Sequence, residues 1–178
     1  QHVDSDIVIF TDAEASFESG FLSAILSPFA DPTVGLVDAS VVFYQQRTAI
    51  GAGQSRYWRH EQKLRLAESE LGILPTASGQ GMAVRRRLIQ HMREDVGDDC
   101  LLPLQVIRQG FYVIHSKNAI VTDRMPESTQ GELQARARMT ARNWVGTWSH
   151  AILLNPLCYP GIALSLWSHK ILRWCSPI

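Results

Sequence analysis

The chain has 178 residues, 46% hydrophobic and 19% charged, a balance that supports one globular domain with a real core and excludes disorder. Seventeen basic and seventeen acidic residues cancel, so no global field draws in nucleic acid, and neither DNA nor RNA is an expected partner. Cys100, Cys158 and Cys175 are an odd set without a CxxC pair, and the six histidines lack HExxH spacing. With no signal-like start, this argues against a zinc site and fits reduced thiols facing the cytosol.

In chain order, "IVIF" has the composition of a buried strand and runs directly into "TDAE". "SFESGFLSAILSPF" spaces Phe17, Phe21, Leu22, Ile25 and Leu26 as on a helix with one buried face, ended by Asp31-Pro32. "VGLVDASVVFY" predicts one or two strands interrupted by Asp38. "RYWRHEQKLRLAESELG" predicts an amphipathic helix closed by Gly72, and "SGQGMAVRRRLI" a glycine-containing loop feeding a short strand or helix. In "VGDDCLLPLQVIRQG" a helix follows a polar turn. Pro103 belongs in the first helical turn, which would put Asp98 and Asp99 at or before the cap. "FYVIHSKNAIV" predicts a long strand or a strand pair, and "STQGELQARARMTARNWVGTW" a helix on which Thr129 and Glu132 fit a capping box. Strands alternating with helices predict an α/β layer fold with ligands at the strand ends.

Both ends read as cut, and a fragment is expected. Residues 151–178 form an apolar stretch broken by Asn155, Pro156 and Pro160, too short to span a bilayer. Trp167, Ile171 and Trp174 at i, i+4, i+7, with Lys170 and Arg173 beside them, fit either a lipid headgroup boundary or a helix covering the core.

Three groups of residues can carry chemistry. On an extended segment Asp12 and Glu14 point the same way and can face one hard cation, Mg²⁺ or Mn²⁺, that leaves positions open for phosphates; otherwise they complement a helix dipole. Asp98 and Asp99 splay apart in a turn, so one caps the helix and the other is free to face a cleft as a general base, or is simply solvated. Arg136, Arg138 and Arg142 offer guanidinium forks for phosphate oxygens, or form an exposed basic face. Lone histidines such as His60 and His115 fit surface or satisfied core positions better than ligand roles.

The order of these pieces adds to them. "FTDAEASF", Tyr57-Trp58-x-x-Glu61, "SGQGMAVRRRLI", "GDDCLLPLQVIRQGFYVI" and an Arg-rich helix resemble, in sequence and spacing, the membrane-associated inverting glycosyltransferases of family 2, which include cellulose, chitin and hyaluronan synthases. The resemblance covers nearly the whole chain. Its counterparts there are a "DADT" donor motif, a glycine-containing acceptor-side loop with "RR", and an "EDxxLxLRLxxxGYRV" block.

The resemblance implies a GT-A-like, Rossmann-like mixed sheet with flanking helices, truncated at the N-terminus. A partial catalytic domain would occupy 1–150. Residues 151–178 would be an amphipathic membrane-interface segment leading to transmembrane helices, with the catalytic side in the cytosol. Asp12 and Glu14 would hold the Mg²⁺ or Mn²⁺ that bridges a nucleoside-diphosphate sugar. Asp99 would deprotonate the acceptor hydroxyl, on a sugar or a lipid-linked acceptor. Arg138, Arg136, Gly79, Gln80 and Asp98 would contact the donor diphosphate or the acceptor.

Two departures stand out. Glu14 replaces the usual Asp, and "ARARM" (135–139) stands where processive synthases carry Gln-x-x-Arg-Trp, so Met139 lacks an indole on which a sugar could stack. Transfer of one or a few sugars is therefore at least as well supported as polymer synthesis. Two competing readings remain open: a metal-assisted phosphoryl-transfer or hydrolytic enzyme using the same acids, and a catalytically inactive membrane-bound nucleotide-sugar sensor or scaffold.

Overall fold

A computed structural model of the chain describes residues 4–44, 49–124 and 129–175. Five strands make one mixed sheet: β1 (Ile7–Phe10), β2 (Ser16–Phe17), β3 (Val34–Tyr44), β4 (Met82–Arg85) and β5 (Tyr112–Arg124), in the order β1-β4-β3-β5-β2. The β3–β5 pair is parallel and the other pairs are antiparallel. Helices α1 (Phe21–Leu26), α2 (Ala49–Glu70), α3 (Asp98–Arg108), α4 (Thr129–Ser149), α5 (Pro160–Ser165) and α6 (Leu172–Cys175) flank it.

The period-two alternation of strand side chains splits the core into two layers. On one face Leu36, Met82 and Val84 pack with Leu102, Leu104 and Val106 of α3 and with Leu153, Leu154, Ile162, Leu166 and Ile171 from the end of the chain. On the other face Val37, Ala39, Ala83 and Val121 pack with Phe21 and Ile25 of α1. Gly35 sits where the backbone must come close to α3: a Cβ there would lie 2.6 Å from Val106 and 2.8 Å from Leu88.

Several expectations need correction. Phe17 does not join α1. It lies in β2, paired with Val121, stacks on Phe21 at 4.2 Å, and is exposed, as are Leu22 and Leu26. "VGLVDASVVFY" is one strand, with Asp38 buried inside it. Pro103 is not in the first turn, because α3 begins at Asp98 behind the N-cap Gly97, so Pro103 lies inside the helix. A proline there cannot donate to the carbonyl four residues earlier, that of Asp99. The amide of Ala77, from the loop ahead of β4, occupies that carbonyl instead at 3.0 Å.

Gly72, with φ of 68°, closes α2 as expected, and its N–H is bonded to Ser69 O. The long α4 is present, but the capping box at Thr129 and Glu132 falls on side chains outside the described residues, as do Tyr57, Arg136 and Trp174.

At the chain's end a π-helical turn, Leu166–Ile171, separates α5 from α6. Trp167 is exposed while Ile171 is buried, so the two do not share one solvent-facing stripe. Of the two alternatives for this segment, the headgroup boundary would leave Lys170 facing lipid; instead it is buried, and both Lys170 and Arg173 reach inward to Glu61. No helix among the described residues is long and apolar enough to cross a membrane.

Candidate active site

The site lies where the end of β1, the loop before β4 and the N-terminus of α3 meet. Asp12 follows β1, and its carbonyl accepts the N–H of Ala15 at 3.2 Å, so residues 12–15 form a turn. Asp12 and Glu14 are thus not brought together by an extended backbone, the geometry that their spacing suggested. The Thr11 hydroxyl donates to the carbonyl of Gln80 at 3.1 Å, which ties the DAE segment to the Ser78–Gly81 loop. Gly81 continues that loop into the sheet: its carbonyl accepts the N–H of Ala39, and a Cβ on it would meet Val121 at 2.7 Å. No heavy atom lies within 4 Å of where a Cβ of Gly79 would be, leaving open space at the loop's tip.

Carboxylates gather around Asp12. Partial desolvation raises its carboxyl above the ordinary value, and the charges of Asp123, Asp98 and Glu14 raise it further. The Thr11–Gln80 and Ala77–Asp99 hydrogen bonds tie the DAE turn and the acidic start of α3 to the same loop. Asp98 Oδ1 accepts the backbone N–H of Asp99 at 3.0 Å, and no side chain caps Gly97.

Asp99 is half-buried and differs from its neighbour. Burial pushes its carboxyl upward, and Asp98 adds to this, whereas Arg65, the Cys100 amide and Lys170 pull it down. Its Oδ1 lies over the Cα of Gly97, where a Cβ would collide with it; the same Cβ would lie 3.3 Å from Asn143 Oδ1.

The arginines divide. Arg138 is exposed on α4. Arg142 is not a phosphate fork: its Nη2 donates to the carbonyls of Glu94 (3.1 Å) and Val96 (2.9 Å), which pins the segment leading into Asp98 onto α4. Of the three consecutive arginines, Arg85 donates to the carbonyls of Phe29, Asp31 and Val34, and Arg86 and Arg87 are exposed.

A cation would relieve the repulsion around Asp12, and the donor set, all carboxylate oxygen, suits Mg²⁺ or Mn²⁺. No three acids, histidines or cysteines among the described residues are close enough to form a complete cage. Asp12 and Glu14 would leave most positions of such an ion to phosphate and water, as Mg²⁺ commonly does.

Behind the loop lies a buried ionic network that the sequence did not announce. Asp38 Oδ1 accepts the amide of Ser78 at 2.6 Å; its Oδ2 faces Arg65 Nη1 at 3.1 Å and His115 Nδ1 at 2.8 Å. Burial alone would raise Asp38, yet Arg65, His115 and that amide hold it below its ordinary value. His60 is exposed and His115 is a satisfied core residue, as expected. Arg65 also donates to Ser78 Oγ (3.0 Å) and, through Nε, to Glu61 Oε1 (3.2 Å). The only advance signals were the placement of Asp38 within an apolar strand and of Glu61 in "YWRHE".

Comparison with known proteins agrees with this architecture. A family profile described as "Glycosyltransferase like family 2" matches residues 1–147, and the chain belongs to that family. No curated protein matches it. Among solved structures it is similar to the mannosyltransferase PcManGT from Pyrobaculum calidifontis in complex with GDP-Man and Mn²⁺, at 20% identity and a TM-score of 0.59, over 97% of this chain and 52% of that one. The fold is thus the GT-A type expected. The chain spans about half the length of that structure's chain.

Proposed function

We propose that this domain transfers a sugar from a nucleoside diphosphate to a hydroxyl acceptor with inversion at the anomeric carbon. One observation carries the reading: the Thr11–Gln80 and Ala77–Asp99 hydrogen bonds tie the DAE turn and the acidic start of α3 to one loop, and burial, with the charges of Asp123, Asp98 and Glu14, raises the carboxyl of Asp12. Family membership and the GDP-Man and Mn²⁺ complex of the similar structure support it.

Asp12, with Glu14, would hold Mg²⁺ or Mn²⁺ against the donor diphosphate. A bound cation supplies the positive charge that the departing diphosphate requires. Asp99 takes the proton of the acceptor hydroxyl. The hydroxyl oxygen bonds to the anomeric carbon as the carbon–oxygen bond to the diphosphate breaks, and one displacement from the opposite face inverts that centre. A base with a raised carboxyl is better matched to this task near neutral pH than an ordinary aspartate. Gly79 and Gln80 form the acceptor-side wall, and Asp98, Arg138 and Arg136 are assigned to donor or acceptor contacts.

The chain's end is assigned to a membrane surface, with a sugar or lipid-linked acceptor drawn from it and the catalytic face in the cytosol. Exposed Leu157, Leu164, Trp167 and Leu172 support this placement. Lys170 and Arg173 do not, because they are engaged inside.

The experiment is transfer by the full-length protein in membranes from a panel of nucleotide sugars with Mn²⁺, with the anomer of the product read by NMR. Inverted product from one donor supports the reading; a retained anomer, or donor hydrolysis with no acceptor dependence, rejects it.

A further inference from the structure

Glu61 is a buried acid on α2 that takes four basic partners from two directions. Arg65, one turn along the same helix, donates to Oε1 at 3.2 Å. The other three come from the chain's end: His169 Nε2 at 2.9 Å, Lys170 Nζ at 3.4 Å and Arg173 Nη1 at 3.0 Å. The other ring nitrogen of His169 faces Glu68 Oε1 at 3.1 Å, and the Ser165 hydroxyl bonds the same oxygen. Both nitrogens of one imidazole therefore meet carboxylate oxygens, one from each of two acids on α2.

His169 and Lys170, adjacent in sequence, both lie in the π-helical turn and both reach this one acid, and such turns are rare and frequent at functional sites. Burying this many charges is not an efficient way to stabilise a fold, since an apolar contact of the same volume does as well or better. A network of this kind is better explained by what it fixes in place.

What it fixes can be followed atom by atom. Glu61 orients Arg65, and Arg65 holds Ser78 Oγ and Asp38. Asp38 holds the Ser78 amide, and the neighbouring Ala77 amide holds the carbonyl of Asp99 that Pro103 leaves without a helical donor. The docked end of the chain is thus linked, through ion pairs, hydrogen bonds and the one peptide unit between Ala77 and Ser78, to the loop carrying Gly79 and Gln80 and to the helix start carrying Asp99.

We infer that Glu61 is a latch residue: the segment His169–Arg173 docks on it, and the docked segment positions the 77–81 loop and Asp99 for the acceptor. This rests on the proposed transferase reading for its kinetic consequence but not for its structural one. Glu61, Arg65, His169 and Lys170 are positioning residues, since they act through Ser78 and Ala77. A segment assigned to the membrane surface would thereby report its own seating to the acceptor side of the site.

The experiment is Glu61→Gln in the full-length protein, which keeps the shape and removes the charge. Amide hydrogen exchange is read for peptides covering 74–81 and 98–102, against β1 and β4 as internal controls. Exchange in the first two is expected to rise about tenfold with the controls unchanged. Unchanged exchange at 74–81, or an equal rise in β1 and β4, overturns the latch. Should Glu61→Gln not fold, Arg173→Gln, at the more exposed rim of the cluster, carries the same comparison with a smaller expected rise, and Arg173→Lys is expected to restore protection.

In transfer assays the latch variants are expected to raise the acceptor KM or lower kcat with the donor KM unchanged; a change confined to the donor KM contradicts the proposal. The exchange measurement needs no turnover. A protein that transfers no sugar yet shows the local rise loses the transferase reading and keeps the latch.

Discussion

Arg65 Nη1 lies 3.1 Å from Asp38 Oδ2, both side chains are buried, and the pair joins the middle of β3 to α2 across 27 positions of sequence. Asp38→Ala takes one of two carboxylate partners from Arg65, which keeps Glu61, and removes the carboxylate that faces His115 Nδ1 and accepts the Ser78 amide. Such a loss costs about 3–5 kcal/mol, and urea unfolding of the variant is expected to show it. A cost under about 1 kcal/mol, the range of an exposed pair, would mean that water replaces the carboxylate.

A second consequence concerns packing at Gly35. A methyl group there would meet Val106 of α3, Phe111 and Leu88 at 2.6–2.8 Å. Gly35→Ala is expected to destabilise by about 1–3 kcal/mol through overpacking, whereas Gly79→Ala, with nothing within 4 Å, is expected to leave the melting temperature within a degree or two. Equal melting temperatures for the two variants would contradict this packing.

The pH behaviour follows from Asp99. Its folded carboxyl is raised, so between the ordinary value of 3.8 and the folded one the native state holds a proton that the unfolded chain releases, and stability from this group falls as pH rises through that window. Asp99→Asn removes that penalty and is expected to melt higher than the parent at neutral pH while losing activity. Activity should fall on the acid side through an apparent pKa above 3.8. Lys170, itself held down to about 8 by burial and by Arg65, lowers Asp99. Lys170→Met is therefore expected to shift the acid limb of kcat/KM upward. A downward shift would reverse the sign of that electrostatic contact.

Metal linkage tests the other acid. Asp12 repels Asp98, Asp123 and Glu14, so Mn²⁺ is expected to raise the melting temperature of the parent, more so with a nucleoside diphosphate present, and Asp12→Ala is expected to abolish that rise. Stabilisation of the Asp12→Ala variant equal to that of the parent would place the ion elsewhere.

How far the sequence carried this account depends on the range of the signal. Strands β1, β3 and β5, the α2 stop at Gly72 and the helix after Asp98 were legible because apolar period and turn residues act over a few positions. The start of α3 was placed too late, since Pro103 was assigned to the first turn. The proline is tolerated further in because Ala77, 22 residues before Asp99, satisfies the Asp99 carbonyl. The inward turn of Lys170 and Arg173 was missed for the same reason: their acceptor, Glu61, is over a hundred residues away. Arg142 is neither the phosphate fork nor the exposed basic residue that its helix spacing allowed, because the carbonyls of Glu94 and Val96 accept from it. Local pattern specifies elements, while the partners of charged side chains are set by the fold.

Sugar transfer measured side by side for the full-length parent and for Asp99→Asn, with a labelled nucleotide sugar and Mn²⁺, bears most directly on the reading of this site. The account predicts donor binding within about twofold of the parent and a fall in kcat of about 10²–10⁴-fold, the span of a lost general base. Transfer by Asp99→Asn at the parental rate would contradict it.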